Sequence, residues 1–306
     1  MRLEQLECLI SIAEVGSFRE AARRFNLSQP ALSKMISTLE LEIGTPLLIR
    51  TARGATLTAA GSAIVTRARV ISSETRKISE DARQFSDGDG MVVRVGLTAA
   101  CSHALLAPVL TKFLKQMPRA RLQLVDSSFN SIYAQLRNRD LDFAICPLSS
   151  STNGRDIDST ALFSSAMTPV CMPQHPRRGA SSIKDLLGEI WTWAEDGDGG
   201  VVSDAFRHNN LEKPFSVVSD SFSSRLQMIL ACNAIALFPT ILLESSFLRE
   251  IISPIWVREH LPEARYYLFR SAHSPLTTQA ELLANLFTEQ AEHVRAAQIN
   301  RKKPGY

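Results

Sequence analysis

The residues whose types and spacing could do chemistry begin with Gln29, Pro30, Ser33, Lys34 and Ser37. At about 100° per residue they fall away from the apolar stripe Leu32, Met35, Ile36, Leu39 and Ile43 on the same helix. One face is therefore anchored, and the other offers short polar groups and one cation. A DNA recognition helix needs that division: its buried face sets its angle, and its N-terminal half reaches base edges in the major groove. The plainer alternative is an amphipathic helix in a small core. Arg50 and Arg53 flank a short turn and could reach phosphate or the minor groove; the alternative is a solvated turn. Cys101 and His103 lie two positions apart, but a nucleophilic cysteine needs a base within hydrogen-bond reach and a group to orient it. Nothing in the sequence supplies that geometry, so no catalytic residue is expected. Asp196-Gly197-Asp198-Gly199 is a fragment of a calcium loop without its remaining carboxylates, so it reads as a surface turn. No metal ligand and no cofactor is expected.

Several elements must position these groups. Residues Ser17 to Ile43 read as two helices joined by a tight turn. Ser17 can cap the first, with Glu20 completing a capping box. Ser28 can cap the second, where Pro30 is tolerated in the first turn because its missing N–H has no helical partner. Leu3, Leu6, Leu9, Ile10 and Ala13 predict a preceding helix, ended by Gly16. After Gly44-Thr45-Pro46, the segments PLLIR, TARG and ATLT read as strand, turn and strand, a small hairpin. Three helices plus a hairpin make a winged helix-turn-helix over residues 1–58.

From residue 59 the texture changes. Ile64, Ala68, Ile71, Thr75, Ile78, Ala82 and Phe85 alternate gaps of four and three, a heptad seam with charge on the remaining faces. So narrow a stripe suits a partner helix, and a dimerisation helix is expected over 59–90; the alternative is packing on the same chain. Ser86-Asp87-Gly88-Asp89-Gly90 reads as its terminal hinge. Beyond it, strands and helices alternate. MVVRVGL, RLQLVD and LDFAIC are strands separated by helices, and a second group begins at TPVCM. Trp191 and Trp193 alternate on a strand and read as core or rim. The expected architecture is a mainly parallel, two-lobed α/β domain over 91–300. Ligands of such sheets sit beyond the carboxyl ends of strands, near helix N-termini.

Composition narrows the function class. The chain has 306 residues, 45% hydrophobic and 21% charged, which suits two or three globular domains. Net charge is only +3, and residues 1–58 hold seven Lys/Arg against six Glu, so a DNA argument rests on where cations sit. Arg19, Arg23, Arg24 and Lys34 cluster in the helix pair. Five scattered cysteines, Cys8, Cys101, Cys146, Cys171 and Cys232, form no C-x-x-C and point to a reducing compartment. The N-terminus lacks a signal-peptide pattern and no apolar run spans a membrane, so a cytoplasmic location is expected. Arg301-Lys302-Lys303 is a short basic tail, expected to be disordered.

The stretch EVGSFREAARRFNLSQPALSKMISTLELEIGTPLLIRTARGATLTAAG at Glu14–Gly61, followed by VVRVGLTAACSHALLAPVLTKFLKQMP, LRNRDLDFAI and IALFP, resembles the LysR-type transcriptional regulators across essentially the whole chain. The resemblance implies a winged helix-turn-helix, a long linker helix that pairs subunits, and a periplasmic-binding-protein-like effector domain whose last strand and helix return to the first lobe, with lobe I at 91–162 plus 269–300 and lobe II at 163–268. It further implies a homodimer or homotetramer on promoter double-stranded DNA, RNA polymerase as a partner, and a response to a small effector. On this resemblance Gln29, Pro30, Ser33, Lys34 and Ser37 face DNA from the recognition helix, Gln29 suited to adenine and Lys34 to guanine or phosphate, with Arg50 and Arg53 on the wing. Thr98, Cys101, Ser102 and His103 match an effector-contacting loop, joined by Ser127, Ser128, Pro147, Ser203, Ser219 and Ser221 at later strand ends. Hydroxyls and free helix-start N–H groups suit a carboxylate or sulfonate, so an anionic effector is expected; for any one serine a helix cap is the plainer role. Where the family commonly has a glycine turn before the strand ending in Leu-Pro, this chain has Cys232-Asn233-Ala234, which restricts positive φ.

Alternatives from other classes are a cytosolic small-molecule-binding protein and a redox sensor using its cysteines. The first 60 residues argue against the former. Peroxide-sensing relatives use a cysteine pair in this domain, and no two cysteines here lie close in sequence.

Overall fold

The computed structural model describes residues 1–51, 54–87, 92–148, 157–194, 201–214, 216–272 and 275–302. Arg53, the hinge residues Gly88 to Gly90, the Asp196–Gly199 turn and Lys303 lie outside them, and only the backbone is described for Arg50, Phe85, Arg301 and Lys302. The chain divides into two compact units, Met1–Asp89 with Asn138–Asp140, and Gly90–Arg137 with Leu141–Tyr306.

In the first unit, α1 (Leu3–Val15) stops at Gly16, whose φ of 66° lets its N–H close on the Ile12 carbonyl at 2.9 Å. The next helix, α2 (Phe18–Arg24), starts at Ser17, whose Oγ accepts from the Glu20 N–H at 3.4 Å. Only half of the expected capping box forms, because the Glu20 carboxylate pairs with Arg23 at 2.7 Å. Then α3 (Gln29–Ile43) is capped by Ser28, which accepts from the Ala31 N–H, with Pro30 in its first turn. Leu32, Ile36 and Leu39 are fully buried against Leu6, Leu9, Ile12 and Ala21, while Met35 and Ile43 are half-buried. Strands β1 (Leu48–Thr51) and β2 (Gly54–Leu57) pair antiparallel, with Arg50 opposite Ala55.

The long helix α4 (Ala59–Asp87) follows. Its first turns do not keep the whole heptad seam outward. Ala68 is buried in the helix-turn-helix core beside Val65, and Ser72 and Arg69 reach Glu7 and Glu14 of α1 at 3.2 and 3.3 Å. Further along, the seam is open: Ile71 is 43% and Ile78 67% exposed.

The second unit is a mixed sheet. β3 (Val92–Leu97) lies between β4 (Arg121–Asp126) and β5 (Phe143–Pro147), both parallel to it. β7 (Trp191–Trp193) lies between β8 (Ser216–Val218) and β9 (Ile235–Pro239), again parallel. These two groups match the expected β-α repeats. What joins them differs from a mainly parallel sheet. β6 (Ile157–Cys171) is one strand through the expected boundary at TPVCM, pairing antiparallel with β11 (Glu263–Ser271) over its first half and with β9 over its second. β11 also pairs antiparallel with β5, and the short β10 (Ser253–Pro254) with β6.

The helices flank this sheet. α5 (Ala99–Cys101) and α6 (Ala107–Gln116) are joined by a π-turn over Ser102–Leu106. α7 (Phe129–Arg137), α8 (Val201–His208), α9 (Phe222–Cys232), α10 (Ser246–Ile251) and α11 (Thr278–Lys302) complete the unit. Trp191 and Trp193 are both core residues, packed on Phe206. At the end of α9, Asn233 takes φ +53°, so the left-handed turn survives without glycine. Its carbonyl meets His175 Nε2 at 3.0 Å.

Candidate nucleic-acid interface and ligand cavity

On α3 the side chains of Gln29, Pro30, Lys34 and Ser37 are exposed and Ser33 is half-buried. The helix is fixed from behind by the buried stripe and at its end by Glu40. The Glu40 Oε1 accepts from the Leu47 and Leu48 N–H groups at 2.7 and 3.1 Å, tying α3 to the hairpin. The hairpin is also held at its other strand, where the Ala55 N–H donates to the Gly16 carbonyl at 2.8 Å. That approach requires Gly54: its φ is 142°, and a Cβ there would stand 2.2 Å from the same carbonyl. Thr58 joins hairpin to α4, donating its N–H to Leu47 O and its hydroxyl to Pro46 O, and accepting from the Gly61 N–H.

Cations around α2 are partly neutralised. Arg23 pairs with Glu20, and Arg24 and Arg69 share Glu14. The exposed polar face is therefore steric and hydrogen-bonding first, with Lys34 its cation. The side chain of Arg50 and all of Arg53 lie outside what is described.

In the second unit a cavity of about 180 Å³ opens beyond the carboxyl ends of β3, β4 and β5 and against α9. At roughly 30 Å³ per water it holds about six waters, the size of a small metabolite. Thr98, Ser127, Ser128 and Pro147 line it. The other expected contacts do not line it, and each has a local role. Cys101 is fully buried and accepts from the Thr98 hydroxyl at 3.5 Å. Ser102 hydrogen-bonds to Asp126. His103 packs its ring on Phe222 at 5.5 Å, and burial lowers its pKa. Lys213 Nζ donates to Ser203 Oγ. The Ser219 N–H donates to Trp193 O, and Ser221 caps α9 through the Ser224 N–H.

The charged groups of the cavity were absent from the sequence reading: Asp126, Asp220 and Arg225. Two had a signal. Asp126 ends strand RLQLVD immediately before Ser127, and Asp220 stands between Ser219 and Ser221. Arg225 lies one turn into α9 and carried none. Its guanidinium sits over the Phe238 and Phe222 rings at 5.4 and 5.9 Å. Its Nε is buried with no hydrogen-bond partner, and among the described residues no carboxylate reaches it as an ion pair. Burial lowers its pKa, opposed by the fields of Asp220 and Asp126. Burial raises the pKa of Asp126, opposed by Ser102, His103 and Arg225. Asp220 accepts from the Ser128 hydroxyl at 2.9 Å, joining the start of α7 to the turn before α9.

Cys101 and Cys146 are far apart in sequence, yet Cys101 lies close enough to add to the burial that raises the Cys146 pKa. Both are buried, and the Cys101 thiol is pushed up to about 12. A thiolate is the reactive form, so neither is disposed to react near neutrality.

Residues 3–62 match the bacterial regulatory helix-turn-helix protein family, lysR family, and residues 86–292 match the LysR substrate binding domain. The HTH-type transcriptional regulator TdcA of Escherichia coli (strain K12) is 25% identical over 296 residues, 95% of each chain. The hydrogen peroxide-inducible genes activator of Dickeya chrysanthemi is 26% identical over 302 residues, 95% of this chain and 96% of that one. Among solved structures, full-length CbnR complexed with its target DNA shares the fold with a TM-score of 0.63 at 20% identity, covering 96% of this chain and 99% of that one.

Proposed function

The chain belongs to the LysR family, a DNA-binding transcriptional regulator with an effector-binding domain rather than an enzyme, and we propose that it reads promoter DNA with the exposed face of α3 under control of a small carboxylate- or sulfonate-bearing effector. The observation that carries the reading is the split of α3 into a buried stripe and an exposed N-terminal polar face, clamped to its hairpin by Glu40. Gln29, Pro30, Ser33, Lys34 and Ser37 enter the major groove, and Arg50 and Arg53 reach backbone or minor groove from the wing. The exposed Ile71 and Ile78 of α4 pair with a second chain, and a homotetramer bridges two sites. CbnR, solved on its target DNA with the same fold, supports this docking.

The effector enters the cavity at Thr98, Ser127, Ser128 and Pro147, where Arg225 receives its anionic group. RNA polymerase is the downstream partner. No described helix is long and apolar enough to cross a membrane, which accords with a cytoplasmic site of action.

Footprinting on DNA flanking its own gene, at stated salt, tests the reading. Two protected regions are expected, one of them shifting with a small carboxylate or sulfonate. No protection at moderate salt would sink DNA recognition. A footprint unmoved by every small anion tested would sink the effector assignment alone.

A further inference from the structure

We propose that the open groove along strands β6 and β11 is a second ligand site, and that it takes a planar aromatic anion whose ring stacks on Trp256 while Arg265 and Arg295 hold its carboxylate or phosphate.

The groove follows from the register of the two strands. Glu263 stands opposite Ala166, Arg265 opposite Ser164 and Tyr267 opposite Ala161. Directly opposed residues of an antiparallel pair share one face of the sheet. At these positions β6 supplies small side chains and β11 long ones, so β6 becomes a floor. The alternate residues Ser165, Ala264 and Tyr266 are buried. Trp256, and Arg295 from α11, add to the lining, and the groove offers about 840 Å³. That lies within the roughly 300–1,000 Å³ of ordinary small-molecule sites. It is well above the effector cavity, with which the groove shares only Tyr266.

Charge and the exposed ring choose the ligand class. Three arginines and two glutamates line the groove, a formal sum of +1. Arg249 already donates through Nε to the Leu243 carbonyl. Glu263 accepts from the Ser164 hydroxyl at 2.9 Å, and Glu244 also has an interaction within the chain. Arg265 and Arg295 are exposed, and among the described residues neither has an ion pair or a side-chain hydrogen bond. A guanidinium in that state is matched by a carboxylate or phosphate, which it can hold with two parallel N–H donors. Trp256 selects the rest of the ligand. It is 69% exposed, against 0% for Trp191 and 2% for Trp193. A flat ring laid on it removes apolar area from water and gains the offset contact that aromatic pairs favour. An aliphatic anion would leave that ring wet, and a neutral aromatic would leave both arginines without an acceptor.

The same difference in exposure supplies the test. In the purified full-length protein, acrylamide should quench Trp256 and spare the two buried tryptophans. The probes are benzoate, phenyl phosphate and adenosine 5′-monophosphate, which separate a carboxylate from a phosphate and a simple ring from a base. Benzamide, adenosine, acetate and inorganic phosphate are their neutral or ring-free counterparts. At least one probe should shield Trp256 saturably and bind about tenfold or more tightly than its counterparts, the scale on which a charge-assisted hydrogen bond counts. Arg265→Gln and Arg295→Gln should each weaken that probe, with melting curves confirming that the variants fold. Trp256→Leu, read by calorimetry, should weaken it as well. The proposal is overturned if no probe shields Trp256, if the neutral counterparts bind as tightly, or if both arginine variants bind the probe unchanged. It is equally overturned if Trp256 becomes more quenchable on dilution of the protein alone, which would put a second copy of the chain in the groove, or if duplex DNA shields it where the probes do not.

Discussion

Single residues carry the sharpest constraints. Gly61 lies where a Cβ would stand 2.0 Å from the Leu47 carbonyl, so Gly61→Ala must displace the joint between hairpin and α4. The expected cost is about 1–3 kcal/mol, read from urea denaturation of the full chain, together with loss of DNA retardation. Lys34 is exposed on the polar face of α3. If it holds a phosphate, Lys34→Ala lowers the salt dependence of DNA affinity by about one unit per contact, whereas Gln29→Ala should leave the slope alone and relax sequence preference. The Cys101 thiol has its own signature. With a folded pKa raised from 9.0 to about 12, it stays protonated in the native state while the unfolded thiol ionises, so its contribution is whole below pH 9 and declines between pH 9 and 12. Alkylation at pH 8 should therefore label exposed Cys232 and spare Cys101, as peptide mapping would show. Rapid modification of native Cys101 would contradict its burial.

At the scale of the element, α4 serves two partners. Val65 and Ala68 bury into the helix-turn-helix core, while Ile71 and Ile78 stand open seven residues apart. The replacement of both by glutamate should leave the first unit folded, because neither belongs to its core, and should abolish self-association through this helix. Sedimentation would show smaller species. DNA affinity should fall by about a hundredfold or more, since two weak half-site contacts no longer act through effective concentration. An unchanged sedimentation coefficient would place the dimer contact elsewhere. The periodicity of α4 was legible in its sequence, but a repeat of apolar residues does not state which turns face the same chain. That was decided by Glu7 and Glu14 on α1, which draw Ser72 and Arg69 inward.

On the scale of the molecule, two units with separate hydrophobic cores share one chain. Heating should unfold them in separable steps, and an effector bound in the cavity of the second unit should raise only that unit's transition. At a hundredfold excess over Kd the stabilisation is about 2.7 kcal/mol, measurable by calorimetry. Ligand that raised only the other transition would place the effector site in the wrong unit. The family and fold follow from matches over residues 3–62 and 86–292, which leave the effector unspecified.

Local order in this chain determines its helices, caps and hairpin, because those depend on neighbours within a few residues: Ser28 caps α3, Gly16 ends α1, and Leu32, Ile36 and Leu39 repeat at helical spacing. Even there, competition between neighbours had to be resolved in space, as when Arg23 claimed the Glu20 carboxylate. The antiparallel course of β6 and β11 was hidden, since strand pairing is set by partners a hundred residues away. The cavity was hidden for the same reason. Its hydroxyls stand at strand ends, where a pattern finds them, but Arg225 reaches it from one turn inside α9 and faces Asp126 from a strand ninety-nine positions earlier. Charge in that cavity is a property of which side chains tertiary packing brings together, and no local pattern places Asp126 in one lining with Arg225.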